Sequence, residues 1–214
     1  MTQLMEKTEL GEFAMTRNVA RISDPCYEKD TWCSGTIDNC KIGMWKSKVI
    51  KSDEGDWGNR VAYLIAWHED TKEPNPETTG WNKREIDVGV DSGQAGIFDD
   101  YHFKVDESIK GVERIGKEEA ICVDEPWYSI CCDRTLSDVG AGVIPFGCVS
   151  STGYGDGSYE ASSLEKDGEV VAIMIDYGLD YDEDEEIEEE LCEGCGGEEQ
   201  YHDGLCVTCY GKRK

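Results

Sequence analysis

Positive charge is what this chain has least of. Its 214 residues carry 21 Lys and Arg against 47 Asp and Glu, a formal net charge of −26. Phosphate backbones are gripped by Lys and Arg, so sequence-independent binding to nucleic acid is not expected. Histidine is scarce too: of three in the chain, only His68 and His102 precede the acidic tail. Ser151 and Ser158 have no G-x-S-x-G context, so a nucleophilic triad is not expected either. No apolar run approaches the roughly 20 residues that a membrane span needs. The opening MTQLMEKTELGEF has neither a basic n-region nor an apolar h-region, so no signal peptide is expected. The EF-hand pattern D-x-[DN]-x-[DN]-G is missing, and strand-like segments do not alternate with helical ones as βαβ units would.

Cysteine, glycine and aromatics are plentiful. Eleven cysteines form an odd set without secretory context, which points to reduced thiols in a cytoplasm rather than a disulfide framework. Six Trp and ten Tyr provide for a real core. The clearest local signal is Val149–Tyr177, a glycine-rich loop feeding a β-hairpin. Gly153, Gly155 and Gly157 alternate with Tyr154 and Asp156. Ser158–Leu164 and Glu169–Tyr177 read as strands, with Lys166-Asp167-Gly168 as the turn. Because a strand and not a helix follows the glycines, a helix-capped phosphate cradle is not expected.

Earlier in the chain, Met1–Ala14 has no clear period and reads as a loose arm or short helix. Asn18–Ile22 reads as a strand stopped by Pro25. Asp30–Cys40 reads as a loop, and plain thiols are favoured over a zinc site at Cys26, Cys33 and Cys40, whose spacings are wide. Ile42–Ile50, Arg60–Trp67 and Trp81–Val90 read as strands, the second apolar enough to be central. His68 reads as a surface residue beside Glu69 and Asp70. A helix is predicted from Asp124, capped by that side chain, with Pro126 in its first turn and Trp127, Ile130, Cys131 and Arg134 at helical spacing. Val139–Gly142 reads as a turn and Val143–Ser150 as one strand. The expected body, residues 1–179, is therefore mainly β, with seven or eight strands and one or two helices, as a single sandwich or partly closed barrel.

Three segments carry a resemblance: Ser23-Asp24-Pro25-Cys26-Tyr27, the run from Val90 to Asp99 (VDSGQAGIFD), and Gly155-Asp156-Gly157-Ser158-Tyr159 ahead of a Val-Val-Ala-Ile-x-Ile-Asp strand. In this order they resemble the domain-of-unknown-function family numbered 4241, over roughly residues 19–177. The resemblance implies a bacterial or phage origin, a common fold and two key loops, without a mechanism. Two readings of the loops stand. In one, Gly93, Gly96, Gly155 and Gly157 make tight turns while Asp91 and Asp156 bond nearby amides. In the other, the loops Asp91–Gly96 and Gly153–Tyr159 share one end of the β core. Asp91, Ser92, Gln94, Asp156, Ser158 and Tyr159 would then face a ligand or partner, and a Ca²⁺ site from Asp91, Asp99, Asp100 and Asp156 is conceivable.

The tail is a different material. Asp180–Glu190 packs nine acids into eleven residues, and 180–191 reads as a solvated linker. Cys192-x2-Cys195 and Cys206-x2-Cys209 follow, separated by ten residues. Two such knuckles complete a tetrahedral four-thiolate zinc site, so residues 192–214 read as a small zinc ribbon. Protein fills all four positions, so the zinc is structural. The sequence leans against an enzyme. Its first reading is a non-enzymatic interaction protein, phage-encoded and acting in a host cytoplasm, that binds a host protein through its β domain and zinc tail. The alternatives are a ligand-binding or hydrolytic site at the two loops, or an acidic mimic of DNA.

Overall fold

The computed structural model describes residues 5–116, 122 and 124–179. Within them the chain forms eleven strands: β1 (Met5–Met15), β2 (Val19–Ser23), β3 (Gly35–Asp38), β4 (Gly43–Asp53), β5 (Asn59–His68), β6 (Asn82–Val90), β7 (Gln94–Asp99), β8 (Ala141–Ile144), β9 (Gly147–Ser151), β10 (Gly157–Lys166) and β11 (Glu169–Asp176). One α-helix, α1 (Pro126–Thr135), lies among them. The strands make two antiparallel sheets, a six-stranded one in the order β1-β4-β5-β11-β10-β6 and a five-stranded one in the order β3-β2-β7-β9-β8. The apolar run of β5 takes a central place in the larger sheet, as its composition demands. The β10–β11 hairpin closes on Asp167 and Gly168, both at positive φ (55° and 85°), the geometry that tightly turned hairpins require.

The two sheets face each other across one core. Phe13, Trp45, Leu64, Ile173 and Ile175 come from the larger sheet, and Ile22, Ala95, Ile97 and Cys148 from the smaller. The outer face of the smaller sheet is covered by α1, where Trp127, Ile130 and Cys131 pack with Phe98, Phe103 and Val149. On the outer face of the larger sheet, Trp67, Ile65, Met174 and Leu179 form a separate cluster with Trp81. Lys48, almost fully buried, pins the segment before Trp81: its ammonium bonds the Glu73 carboxylate at 2.7 Å and the Pro74 carbonyl. Along their sides the sheets approach closely, with Ala14 N–H donating to the Pro145 carbonyl (3.0 Å) and Gly89 N–H to the Cys33 carbonyl (2.9 Å).

Several expectations need correction. The N-terminal segment is not an arm or helix but the edge strand β1, paired along its length with β4. The expected loop Asp30–Cys40 contains β3, and the expected single strand after Gly142 is the hairpin β8–β9. Asp124 does not cap α1; the Trp127 amide donates instead to the Asp106 carboxylate, 3.0 Å away and distant in sequence. His68 is buried. Its Nδ1 accepts from the Asp70 amide (3.1 Å), which leaves the Nε2 proton facing the Ile42 carbonyl (3.3 Å).

Asp133 of α1 ties the helix to the segment before it. Its fully buried carboxylate accepts from the Ile115 and Gly116 amides, each at 2.8 Å, and pairs with Arg134 and Arg114. Burial pushes its pKa up, but those amides and guanidinium groups outweigh it and hold the group below the ordinary carboxylate value. A depressed carboxylate stabilises the fold at pH values above its unfolded pKa, and that stability is lost as pH falls through the folded value. We therefore expect Asp133→Asn to flatten the acid limb of the stability curve below about pH 4. Denaturant titrations of both forms across that range check it; parallel acid limbs would contradict it.

Candidate rim site

The register of the two sheets dictates where the glycine loops must lie. Val90, the last residue of β6, pairs with Gly157, the first of β10. Gln94, the first residue of β7, pairs with Ser151, the last of β9. The chain therefore leaves the larger sheet for the smaller through Asp91–Gly93, and returns through Thr152–Asp156 at the same end. Both crossovers run side by side. Thr152 N–H donates to the Gly93 carbonyl (3.1 Å), and Gly93 N–H to Asp156 Oδ1 (2.9 Å). Gly93 has φ 65°, which a side chain would disfavour.

Asp24 fastens this arrangement from beneath. It follows β2, is fully buried, and accepts from the amides of Cys26 (2.8 Å), Asp91 (2.9 Å) and Ser92 (2.8 Å) and from the Ser92 hydroxyl (2.7 Å). The three segments Ser23–Tyr27, Val90–Asp99 and Gly155–Tyr159 thus meet at one rim. Asp24 was not among the residues singled out from the sequence as site residues. The signal was an Asp-Pro step closing a strand, where an aspartate commonly bonds amides just downstream.

The residues predicted to face a ligand divide into two groups. Asp91, Asp156, Gly157 and Ser158 are exposed at the rim, with Ser92, Gly93 and Gly155 half-buried among them. Gln94 turns inward. Its Oε1 accepts from the Thr135 hydroxyl (2.9 Å) and its Nε2 lies 3.5 Å from both the Tyr128 hydroxyl and Cys132 Sγ, so it joins β7 to α1. Gly96 lies within β7, where an added Cβ would sit 2.2 Å from the Phe98 ring; its role is packing. The Tyr159 hydroxyl donates to the Gly155 carbonyl (2.7 Å) and thereby ties the loop to its own strand.

Beside the crossovers lies an open cleft of about 460 Å³. Asp87, Asp91 and Asp156 line it together with Tyr27, Trp32 and Ser158, and no Lys, Arg or His does. Ser158 donates to Asp87 and Gly93 N–H to Asp156, but among the described residues none of the three carboxylates has a cationic partner. Trp32 stands 84% exposed at the margin. Half-buried Tyr27 and buried Cys33 line the cleft, next to half-buried Cys26. Burial first, then the Asp24 carboxylate, pushes Cys26 up to about 12, so it stays a protonated thiol at neutral pH. Tyr27 is raised by burial, then by Asp91 and Cys33. This chemistry offers negative charge and an aromatic face, not an activated nucleophile.

Neither metal arrangement considered for the body comes together. Asp99 sits at the far end of β7, fully buried, accepting from the Thr16 hydroxyl (2.7 Å) and the Arg17 and Tyr101 amides, while Asp100 pairs with Arg21 at 2.6 Å. Cys40 Sγ donates to the Ile37 carbonyl (3.3 Å). Among the described residues no group of three or more His, Cys, Asp or Glu is placed to hold a metal ion. The acidic stretch 180–191 and the cysteines Cys192, Cys195, Cys206 and Cys209 lie outside the described residues. No helix of the described residues is long and apolar enough to cross a membrane.

Comparison of the chain with family models, curated proteins and solved structures gives no match. The resemblance to the unknown-function family stands on the three quoted segments alone.

Proposed function

We propose that this is a non-enzymatic interaction protein that takes a basic segment of a partner protein in the acidic cleft beside its paired crossovers. The observation that carries the reading is that Asp87, Asp91 and Asp156, three carboxylates with no cation paired to them among the described residues, line one cleft together with a protruding Trp32. An Arg or Lys side chain entering there would gain charge pairing and an aromatic face at once. The Gly93 amide holds Asp156 and the Ser158 hydroxyl holds Asp87 before the partner arrives, which lowers the ordering cost of association. The net charge of −26 steers a basic surface towards the rim. A four-cysteine zinc tail, Cys192 to Cys209, is part of the same proposal as a second docking module, as is the phage origin that the resemblance implies.

The test is capture of partners from bacterial lysate on the immobilised full chain, at low and high salt, beside the Asp87→Asn/Asp91→Asn/Asp156→Asn variant. We expect a salt-sensitive partner with a basic contact surface, and loss of that partner from the variant. Each neutralised carboxylate should weaken binding by about 1 kcal/mol, or roughly fivefold. A partner held equally by the variant would contradict the reading. A DNA mimic differs: it would compete with duplex DNA for its partner across a broad acidic surface, and would tolerate these three changes.

A further inference from the structure

On the other side of the crossovers lies a second, smaller cleft, about 260 Å³, with the opposite character. Its lining includes Lys51 of β4 and Arg60 of β5, against the single carboxylate of Asp138. In a chain so rich in acids, most basic side chains of the body are paired: Arg21, Lys41, Lys48, Lys83, Arg84 and Arg134 all hold carboxylates. Among the described residues, Lys51 and Arg60 hold none.

Arg60 is nevertheless fixed in place. Its Nε donates to the Trp57 carbonyl at 2.9 Å, and its guanidinium carbon stands 5.9 Å from the centre of the Tyr154 ring. The Tyr154 hydroxyl is in turn anchored on Glu54 at 2.5 Å, and the turn carrying Glu54 and Trp57 closes on itself through Glu54 N–H to the Gly58 carbonyl (3.1 Å). One edge of the guanidinium is thus held, while its two Nη groups have no hydrogen-bond partner among the described residues. A planar, oriented fork with free donors is the geometry that binds oxyanions in pairs of parallel bonds. Ser151, whose hydroxyl has no partner among the described residues, lines the same cleft.

Tyr154, 58% exposed, lines the cleft, and its ring meets that of Trp57, 68% exposed, edge to face at 6.3 Å between centroids. The glycine-rich backbone is not the anion receptor. Ser151, Thr152, Gly153 and Gly155 all donate their amides to carbonyls of the protein.

We infer that this cleft binds a phosphate group carried on a flat ring, the chemistry of a nucleoside monophosphate, with the phosphate on Arg60 and Lys51 and the ring against Tyr154 and Trp57. The site is separate from the acidic cleft and does not depend on the reading given to that cleft. It also differs from a helix-capped phosphate loop, because side chains of β4 and β5 supply the charge.

Titration of the full chain with adenosine 5′-monophosphate, inorganic phosphate and adenosine tests this, followed by NMR at about 0.15 M salt so that distant carboxylates are screened. We expect the monophosphate to bind about tenfold more tightly than phosphate, in line with the worth of one stacked ring. Tyr154→Ala should erase that advantage while phosphate binding persists, because the Trp57 carbonyl still holds Arg60 Nε. Lys51→Gln/Arg60→Gln should weaken both by about tenfold or more while keeping the wild-type melting temperature, since both side chains are partly exposed. No binding of either anion up to about 10 mM, or binding untouched by the double variant, overturns the site. A monophosphate held no tighter than phosphate overturns the ring contact.

Discussion

Asp24→Ala is expected to destabilise the β body by roughly 3–5 kcal/mol, because it strands the amides of Cys26, Asp91 and Ser92 at about 1–3 kcal/mol for each donor that water does not reach. For a domain of this size that is a fall in Tm of about 10 °C. The damage should also be local. Asp24 holds the Asp91–Gly93 crossover through both amides and the Ser92 hydroxyl, so amide exchange there should accelerate more than in β5 or β11. Asp24→Asn keeps one acceptor oxygen and the side-chain volume, and should lose about half as much. A drop below about 1 kcal/mol for the alanine variant would mean that water substitutes for the carboxylate, and that the rim is not held as described.

The other large effect belongs to the tail. Four thiolates at the spacing of Cys192, Cys195, Cys206 and Cys209 are expected to bind one zinc ion per chain, with an apparent binding energy of about 10–16 kcal/mol that is also the folding energy of so short a module. Metal analysis of the full chain should find about one equivalent of zinc, and Cys195→Ser should lose it. The melting transition of the β body should be unchanged in that variant and after strong chelation, because its core residues come from the two sheets and α1. Loss of the body's transition on chelation would contradict the modular reading, and a chain purified without zinc or iron would remove the metal site altogether.

What could be read from the sequence follows the strength of each local pattern. The run RVAYLIAW and the alternation before and after Asp167-Gly168 leave little choice of structure, and both are strands where expected. β1 is an edge strand, largely exposed up to Glu12 and buried only at Phe13 and Met15, so no apolar period marks it. His68 stands next to two acids yet is buried, because its pairing with Trp45 across β4 and β5 places it inside. The adjacency of the two glycine loops is an expectation that no local pattern secures. Its physical cause is the double register β6–β10 and β7–β9, which no single stretch of sequence displays. Gln94 carries the right chemistry for a ligand contact, but α1 claims it. Lys51, Arg60 and Tyr154 gave no signal, since their cleft draws on three separate strands and loops.

The rim account is tested most directly by following the backbone amides and the Trp32 indole by NMR while an arginine-rich peptide is added to the full chain. It predicts salt-sensitive shifts at Trp32, Gly93 and the residues around Asp156, and their disappearance in the Asp87→Asn/Asp91→Asn/Asp156→Asn variant. Shifts scattered over the acidic surface and equal in the variant, or none at the rim, would contradict it.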